Sequence, residues 1–474
     1  MDKEKSVHLE SEERMGFETP GGKVYLEAGE EMMTPFGGFV PFAGFLKKAG
    51  IIEELAMSSP VERSSPNASR SYDVICSFLL TTLIDGSRFS HVNRLREDPL
   101  LKEVFGMERM VGDDTIRRYF KLIEARSSGD WIASATKVMW GCLPENFILD
   151  WDSTVQTRYG LQEGAEVGYN PHKHGRASHH PLMAVVAGTR LCPYYRWRGG
   201  KASSASEWIE AMEEASGWIG RTPWLNRGDV GFCSEGLIRW HEEEGRPHCL
   251  FKLRLTKNLK RAISRIKDED WEGCPTPGVL QTSEIKLKLS GWSNSRRVII
   301  GRRCLGEVAS AESGEFWSYA KYNYEAYVTT LSEKDATSWQ IIELYRQRAD
   351  CENVFDELKN QWGFSGFCSR SRNVTEVAAR LLLVAYNLWN LFLRLLEPSR
   401  HVEARHGRRW FLFLSARLVR CSRQRTWKMA VSGQWWNSLK DGYKRVLAWL
   451  ALTAPQLHDI QPQAPPFNSN IVSI

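Results

Sequence analysis

Residues 146–155 read NFILDWDSTV, and the texture of the chain changes there. Pro144 stands just before the segment and its residues suit a pleated, half-buried surface, so a strand is predicted. Working outward toward the C-terminus, HPLMAVVAG (180–188) and CPYYRWR (192–198) read as two further strands. SASEWIEAMEEASGWI (204–219) then has helical texture. A short strand ending near Asp229 follows, then a helix from about Ser234 to Glu244 stopped by Gly245, then the strand HCLFKLRL (248–255).

Three strands, helix, strand, helix, strand is the order of an RNase-H-like core, an α/β arrangement in which helices flank a mixed sheet. Residues 143–268 are assigned to its first part. Residues 269–331 carry the alternating segments TSEIKLKLSGW, RRVIIGRRC and EAYVTTL and are read as a β-rich insertion. Residues 332–397 supply the second part of the core. They hold one long helix from Ala336 to about Trp362 and another from Val374 to Leu396, which is apolar nearly all round and therefore expected to be buried.

Upstream, residues 1–66 hold the turn-rich segments TPGGK, TPFGG and SSPVERSSPN and read as a loosely structured arm. Residues 67–142 read as a helical DNA-binding domain. YDVICSFLLTTLIDG ends at Gly86, and DDTIRRYFKLIEA starts a helix that Asp113 or Asp114 is placed to cap. Its exposed face presents Arg117 and Arg118 to nucleic acid; a helix-turn-helix and a plain bundle with a basic surface both fit. Residues 398–474 form a basic region, expected to be helical and to end in a tail, PQLHDIQPQAPPFNSN. Between Arg400 and Lys428 nine cations, Arg408 and Arg409 among them, face one acid, Glu403, which is the footprint of a polyanion partner.

The 474 residues carry 42% hydrophobic and 25% charged residues, an ordinary globular balance for a multidomain chain, with net charge +6. The start, MDKEKSVHLESEER, lacks the apolar stretch of a secretory signal, so a cytoplasmic protein is expected, with no membrane partner. Ten scattered cysteines form no CxxC pair and are expected to be reduced.

Chemistry concentrates on residues 345–359, YRQRADCENVFDELK. On one continuous helix Tyr345, Arg348, Glu352 and Lys359, spaced i, i+3, i+7 and i+14, fall within a sector of roughly 60°. A buried helix would place Leu or Val there, and a solvated one would scatter its charges. Asp356, one turn beyond Glu352, is the reserve acid. Two more acids are candidates on the sheet. Asp150 and Asp152 lie two apart on a strand and share a face, and Asp229 follows the fourth strand among glycines that permit a sharp exit. Three carboxylates from different elements suit hard divalent cations, Mg²⁺ or Mn²⁺, and two such ions serve in-line phosphoryl transfer. His172, His174, His179 and His180 offer a weaker metal cluster.

The Tyr-Arg-Glu-Lys pattern resembles the third acidic motif of bacterial insertion-sequence DDE transposases. The resemblance implies that Asp152, heading an Asp-x-Thr pattern, Asp229 and Glu352 form the catalytic metal-binding triad, with Asp150 as the alternative first acid. It implies that Tyr345, Arg348 and Lys359 grip phosphates, and that an aromatic before the third motif captures a flipped base. Tyr327 or Tyr324 would serve, with Trp292 and Trp317 as other candidates. It implies double-stranded DNA as substrate, transposon ends and target alike, and a homodimer in a synaptic complex. An RNase-H-like nuclease without strand transfer and a domesticated DNA-binding regulator are the rival readings; loss of an acid would mark the latter, and all three are present.

Overall fold

The computed structural model describes the chain except residues 1–13, 28–31, 63–64, 66, 172, 275–277, 311–316, 422–423, 453–456, 458–459 and 461–474. A hairpin of β1 (Arg14–Thr19) and β2 (Gly22–Glu27) precedes the short β3 (Met33–Thr34). Two helices follow where a loose arm is predicted: α1 (Phe39–Ala49) and α2 (Ile51–Met57). Phe39, Phe42 and Phe45, three residues apart, form the buried stripe of α1. The glycines that read as turn signals have other duties. A Cβ on Gly38 would fall 1.8 Å from the Phe411 carbonyl oxygen, and Gly50, at φ 70°, ends α1 and opens α2 in a left-handed conformation.

The helical region is as expected. It comprises α3 (Ser71–Leu83), α4 (Pro99–Val104), α5 (Asp113–Leu122) and α6 (Ser127–Thr136), with 3₁₀ turns at Phe89–Leu95 and Lys137–Cys142. The cap of α5 differs from expectation: Gly112 occupies the N-cap, while Asp113 and Asp114 lie in the first turn and both pair with Arg117.

Next come β4 (Ile148–Ser153), β5 (Gln156–Thr157), β6 (Glu166–Val167), β7 (Ala177–His179), β8 (Leu182–Val186), β9 (Leu191–Arg196), α7 (Trp208–Ile219), β10 (Leu225–Gly228), α8 (Glu235–Glu242), β11 (His248–Lys252) and α9 (Lys257–Ile263). Strands β12 (Leu280–Leu287), β13 (Arg296–Ser310) and β14 (Trp317–Thr329) follow. One eight-stranded sheet takes the order β12-β13-β14-β11-β10-β4-β8-β9. In it β4, β10 and β11 run parallel and every other neighbouring pair is antiparallel. The segment predicted as an interrupting insertion therefore continues the main sheet, because β14 pairs directly with β11.

The sheet divides two cores by simple alternation. Leu149 and Trp151 of β4 face α7, where Trp151 meets Trp208 edge-on at 5.4 Å. Ile148, with Leu225, Leu250, Ile299 and Tyr327, faces a smaller core capped by Ile341, Ile342, Leu344 and Tyr345.

Those last residues belong to α10 (Ser338–Arg346), which is separate from α11 (Ala349–Gln361). The single long helix of the prediction is thus broken at Gln347–Arg348. The Leu344 carbonyl accepts from the Arg227 guanidinium, while the Arg348 N–H turns to the Tyr345 carbonyl at 2.9 Å, an i−3 bond where the α-helix requires i−4.

Helix α12 (Arg372–Leu396) runs 25 residues and is almost wholly buried against β9, α1, α3, α5 and α6. It is long and apolar enough to cross a membrane, but its surface is taken up inside the protein. After α13 (Ala404–Gly407) and a π-helical turn at Arg408–Leu412, the basic segment forms a hairpin of β15 (Ala416–Cys421) and β16 (Gln424–Met429), where a helix is predicted. β15 also pairs with β3, tying the two ends of the chain together. Helix α14 (Gly433–Leu450) follows, within the C-terminal region expected to be helical. Most of the expected tail lies outside the described residues.

Candidate functional site

Parallel pairing of β4 with β10 brings Asp152 and Asp229 to the same end of adjacent strands. Asp152 is the fifth residue of β4, and Asp229 follows directly on β10 and caps the 3₁₀ turn Val230–Phe232, accepting from the Gly231 N–H at 2.8 Å. The carboxyl ends of parallel strands are where open α/β sheets place their ligands. Opposite them stands the junction of α10 and α11. Arg348, buried at that junction, donates to the Trp151 carbonyl at 3.0 Å and lies 3.4 Å from both Asp152 and Glu352.

Charges at the site register one another. The Asp152 carboxyl is raised above its ordinary range, first by burial and further by Asp229, against Arg348, the Ser153 N–H and Lys359. Burial would lower the Arg348 guanidinium, but Asp152 leads the groups that hold it above its usual value. Tyr345 is pushed up to about 12 by burial, with Asp229, Glu352 and Asp150 adding to the shift and Arg348 opposing it. Asp152, Asp229, Tyr345, Arg348, Glu352 and Lys359 thus gather at one edge of the sheet despite the helix break. Glu352 and Lys359 are exposed. Asp356, the reserve acid, is also exposed and accepts from Asn360 at 2.7 Å.

Asp150 is committed elsewhere. It is 1% exposed, and its two oxygens take a fork from Arg227 at 2.6 and 2.7 Å, with Arg227 itself 0% exposed. The pairing register sets Arg227 directly beside Asp150. Sequence reasoning missed Arg227, although a cation in a short strand between Asn226 and Gly228 was itself a signal that a buried partner must exist.

Other expected contacts are corrected. Tyr327 is 1% exposed, with its ring 4.5 Å from that of Tyr345 and its hydroxyl on Glu325, so no base can reach it. Tyr324 is only partly exposed, and Trp292 is buried beneath Arg296; the Trp317 side chain lies outside the described residues. Arg408 is 1% exposed. It donates to the Thr82 and Gln361 carbonyls, pairs with Asp85 and covers Trp362, so it holds elements together and leaves no face for phosphate. Arg409 and Arg118 are exposed, whereas Arg117 is occupied by Asp113 and Asp114.

Among the described residues the histidines form no cluster. His172 lies outside the described residues and His174 is exposed, while His179 accepts from the Arg158 Nε and His180 contacts the Ala202 carbonyl. Burial lowers both buried imidazoles, His179 to about 4. Among the described residues no three His, Cys, Asp or Glu side chains converge closely enough to hold a metal ion. At the acid site the Arg348 cation itself stands between Asp152 and Glu352.

No match is found among curated proteins. A cryo-EM structure of the piggyBac transposase synaptic complex with hairpin DNA aligns at 12% identity and a TM-score of 0.41, over 93% of this chain and 90% of that one. A family model described as Transposase DDE domain group 1 matches residues 20–449, nearly the whole sequence. The chain belongs to the DDE transposase family.

Proposed function

We propose that this protein is a cut-and-paste transposase: it binds the inverted repeats at transposon ends, cleaves them by metal-dependent hydrolysis and joins the freed 3′ ends to target DNA. The observation that carries this is the meeting of Asp152 and Asp229, at the ends of adjacent parallel strands, with the Arg348–Glu352 junction across from them. The sheet order from β9 through β8, β4 and β10 to β11, three antiparallel strands then two parallel ones, supports an RNase-H-like core.

Asp152, Asp229 and Glu352 would hold Mg²⁺ or Mn²⁺, two ions in our reading, once Glu352 left Arg348 and closed on the two aspartates, since the three do not converge as they stand. Their all-oxygen donor set fits hard cations, and the Arg348 guanidinium marks where positive charge is already stabilised between two of them. When bound, such ions activate the attacking oxygen and stabilise the leaving one. The chain's own residues do the rest. Asp229 is held in place by the Gly231 N–H, and Arg348, anchored on the Trp151 carbonyl, fixes the start of α11 and thereby Glu352. Lys359 and the Tyr345 hydroxyl would meet phosphate oxygens. Strand transfer calls for two ends at once, so we assign the working form as a homodimer on double-stranded DNA, acting in the bacterial cytoplasm at the nucleoid.

The test is cleavage of DNA carrying the inverted repeats that flank the gene, with Mg²⁺ or Mn²⁺, by wild type and by Asp229→Ala and Glu352→Ala. Both variants should lose more than the roughly 10–100-fold typical of outer-shell partners. Unchanged cleavage by Glu352→Ala overturns the triad.

A further inference from the structure

Immediately after Asp152 the chain leaves the main sheet and forms a small one, in the order β5-β7-β6, before returning through His180 to β8. The segments that join its strands leave large side chains in solvent. Tyr159 is 72% exposed and Tyr169 74%, with Leu161 and Val167 also open to solvent. Nothing in the fold requires two large aromatics to stand in water, and an exposed aromatic surface of this kind marks an interaction site.

The surroundings indicate the partner's chemistry. Arg176 stands 5.8 Å over the Tyr159 ring, and Lys173 and His174 are exposed on the same loop. The nearby acids are already engaged: Glu163 accepts from the Arg372 N–H at 2.8 Å, and Glu166 pairs with Lys201. What remains is aromatic and cationic, the combination that binds the stacked bases and phosphates of an unpaired strand.

The sheet is also rigid beneath this surface. Arg158 is buried and ties His179, Gln156 and the Ser365 carbonyl together at 3.0, 2.6 and 2.8 Å, and the His179 ring meets Trp197 edge-on at 4.7 Å. Asn170, next to Tyr169, donates to Thr157 and accepts from the Lys173 N–H, so one side chain links both aromatic positions to the basic loop. The acid site is adjacent. β5 starts four residues after Asp152, and Ser153 of β4 bonds Ser204 at 2.9 Å.

From this geometry we propose that the β5-β7-β6 sheet is a stacking platform for unpaired DNA beside the cleavage site, with Tyr159 and Tyr169 receiving bases and Lys173, His174 and Arg176 meeting the backbone. The proposal rests on the transposase reading for its choice of polymer. It also gives base capture a different location from β14, where Tyr327 is buried.

The experiment uses the full chain and a labelled single-stranded oligonucleotide of mixed sequence containing 2-aminopurine. Wild type should bind it and quench the 2-aminopurine. Tyr159→Ala/Tyr169→Ala should bind roughly 10- to 100-fold more weakly and lose the quench, with an unchanged melting temperature because both rings are exposed. Tyr159→Phe/Tyr169→Phe should keep both signals. The platform is overturned if the alanine pair retains affinity and quench, or if it instead loses self-association by sedimentation while still binding the strand. If wild type binds the strand through the tyrosines but does not cleave end DNA, the transposase reading fails and the platform stands. If wild type binds no DNA, both fail.

Discussion

Asp150 and Asp152 are indistinguishable on a strand read alone, since both point to one face. The difference lies on the neighbouring strand, where Arg227 comes into register with Asp150 and takes both its oxygens. Register between distant segments is invisible to local pattern, and so was the partner. Arg227→Met should cost about 3–5 kcal/mol, because it strands a buried carboxylate. Adding Asp150→Leu should recover much of that loss, and urea unfolding of both variants measures it; a single variant as stable as wild type contradicts the structural role.

Tyr327 shows the same limit, since its type suited base capture and only packing reveals that it is covered. His241 carries a further prediction. Burial holds its imidazole at about 4 against an ordinary 6.5, although the Pro247 carbonyl favours the charged form. Between those values the unfolded chain takes up a proton that the folded chain refuses, so stability is present above about 6.5 and declines as pH falls toward 4. His241→Asn, which keeps a donor near Pro247, should flatten the fall of melting temperature across that window.

Among elements, those with a strong local period were legible. The β-β-β-α-β-α-β order, the helical region and α12 all stand where the sequence put them. What failed was continuity and type. The four-residue motif was visible, but not the break within it, since the Leu344 carbonyl is captured by an arginine from a strand more than a hundred residues earlier. The basic segment was read as helix from its charge, yet its Thr426 and Trp427 sit in a hairpin whose place is fixed by β3 at the far end of the chain. That hairpin displays exposed cations on both faces, Arg420 on one and Lys428, in register with Arg417, on the other, and Arg409 is exposed as well. Replacing Arg409, Arg420 and Lys428 by alanine should flatten the salt dependence of duplex binding by roughly 0.9 in log–log slope for each phosphate no longer neutralised, read by anisotropy across a salt series. An unaltered slope would show that this hairpin does not touch the backbone.

At the level of the whole molecule, segments assigned in sequence to the arm, the core and the C-terminal region share packing. Phe42 of α1 meets Phe392 of α12 at 4.9 Å, and Phe45 meets Trp449 of α14 at 5.2 Å. Glycine-rich texture concealed this, because Gly38 serves close approach and not looseness. A chain beginning at Ser59 should therefore lose cooperative melting and aggregate, whereas one beginning at Met32 should melt like the full protein; scanning calorimetry separates the two outcomes.

The burial of α12 also sets a timetable. Ribosomes deliver residues from the N-terminus, and the surface against which α1, α3, α5 and α6 close is not made until residue 372 and beyond. Until then Phe42, which meets Trp389 and Phe392, and Phe78, which meets Phe367, are only partly covered by the neighbours made early, Phe39 and Phe45 for the first and Phe89 and Phe120 for the second, a state prone to aggregation and chaperone capture. A message truncated or frameshifted before that point yields the strands that carry Asp152 and Asp229 but not the helix that α1, α3, α5 and α6 close upon, so closure of those helices waits for residues 372–396.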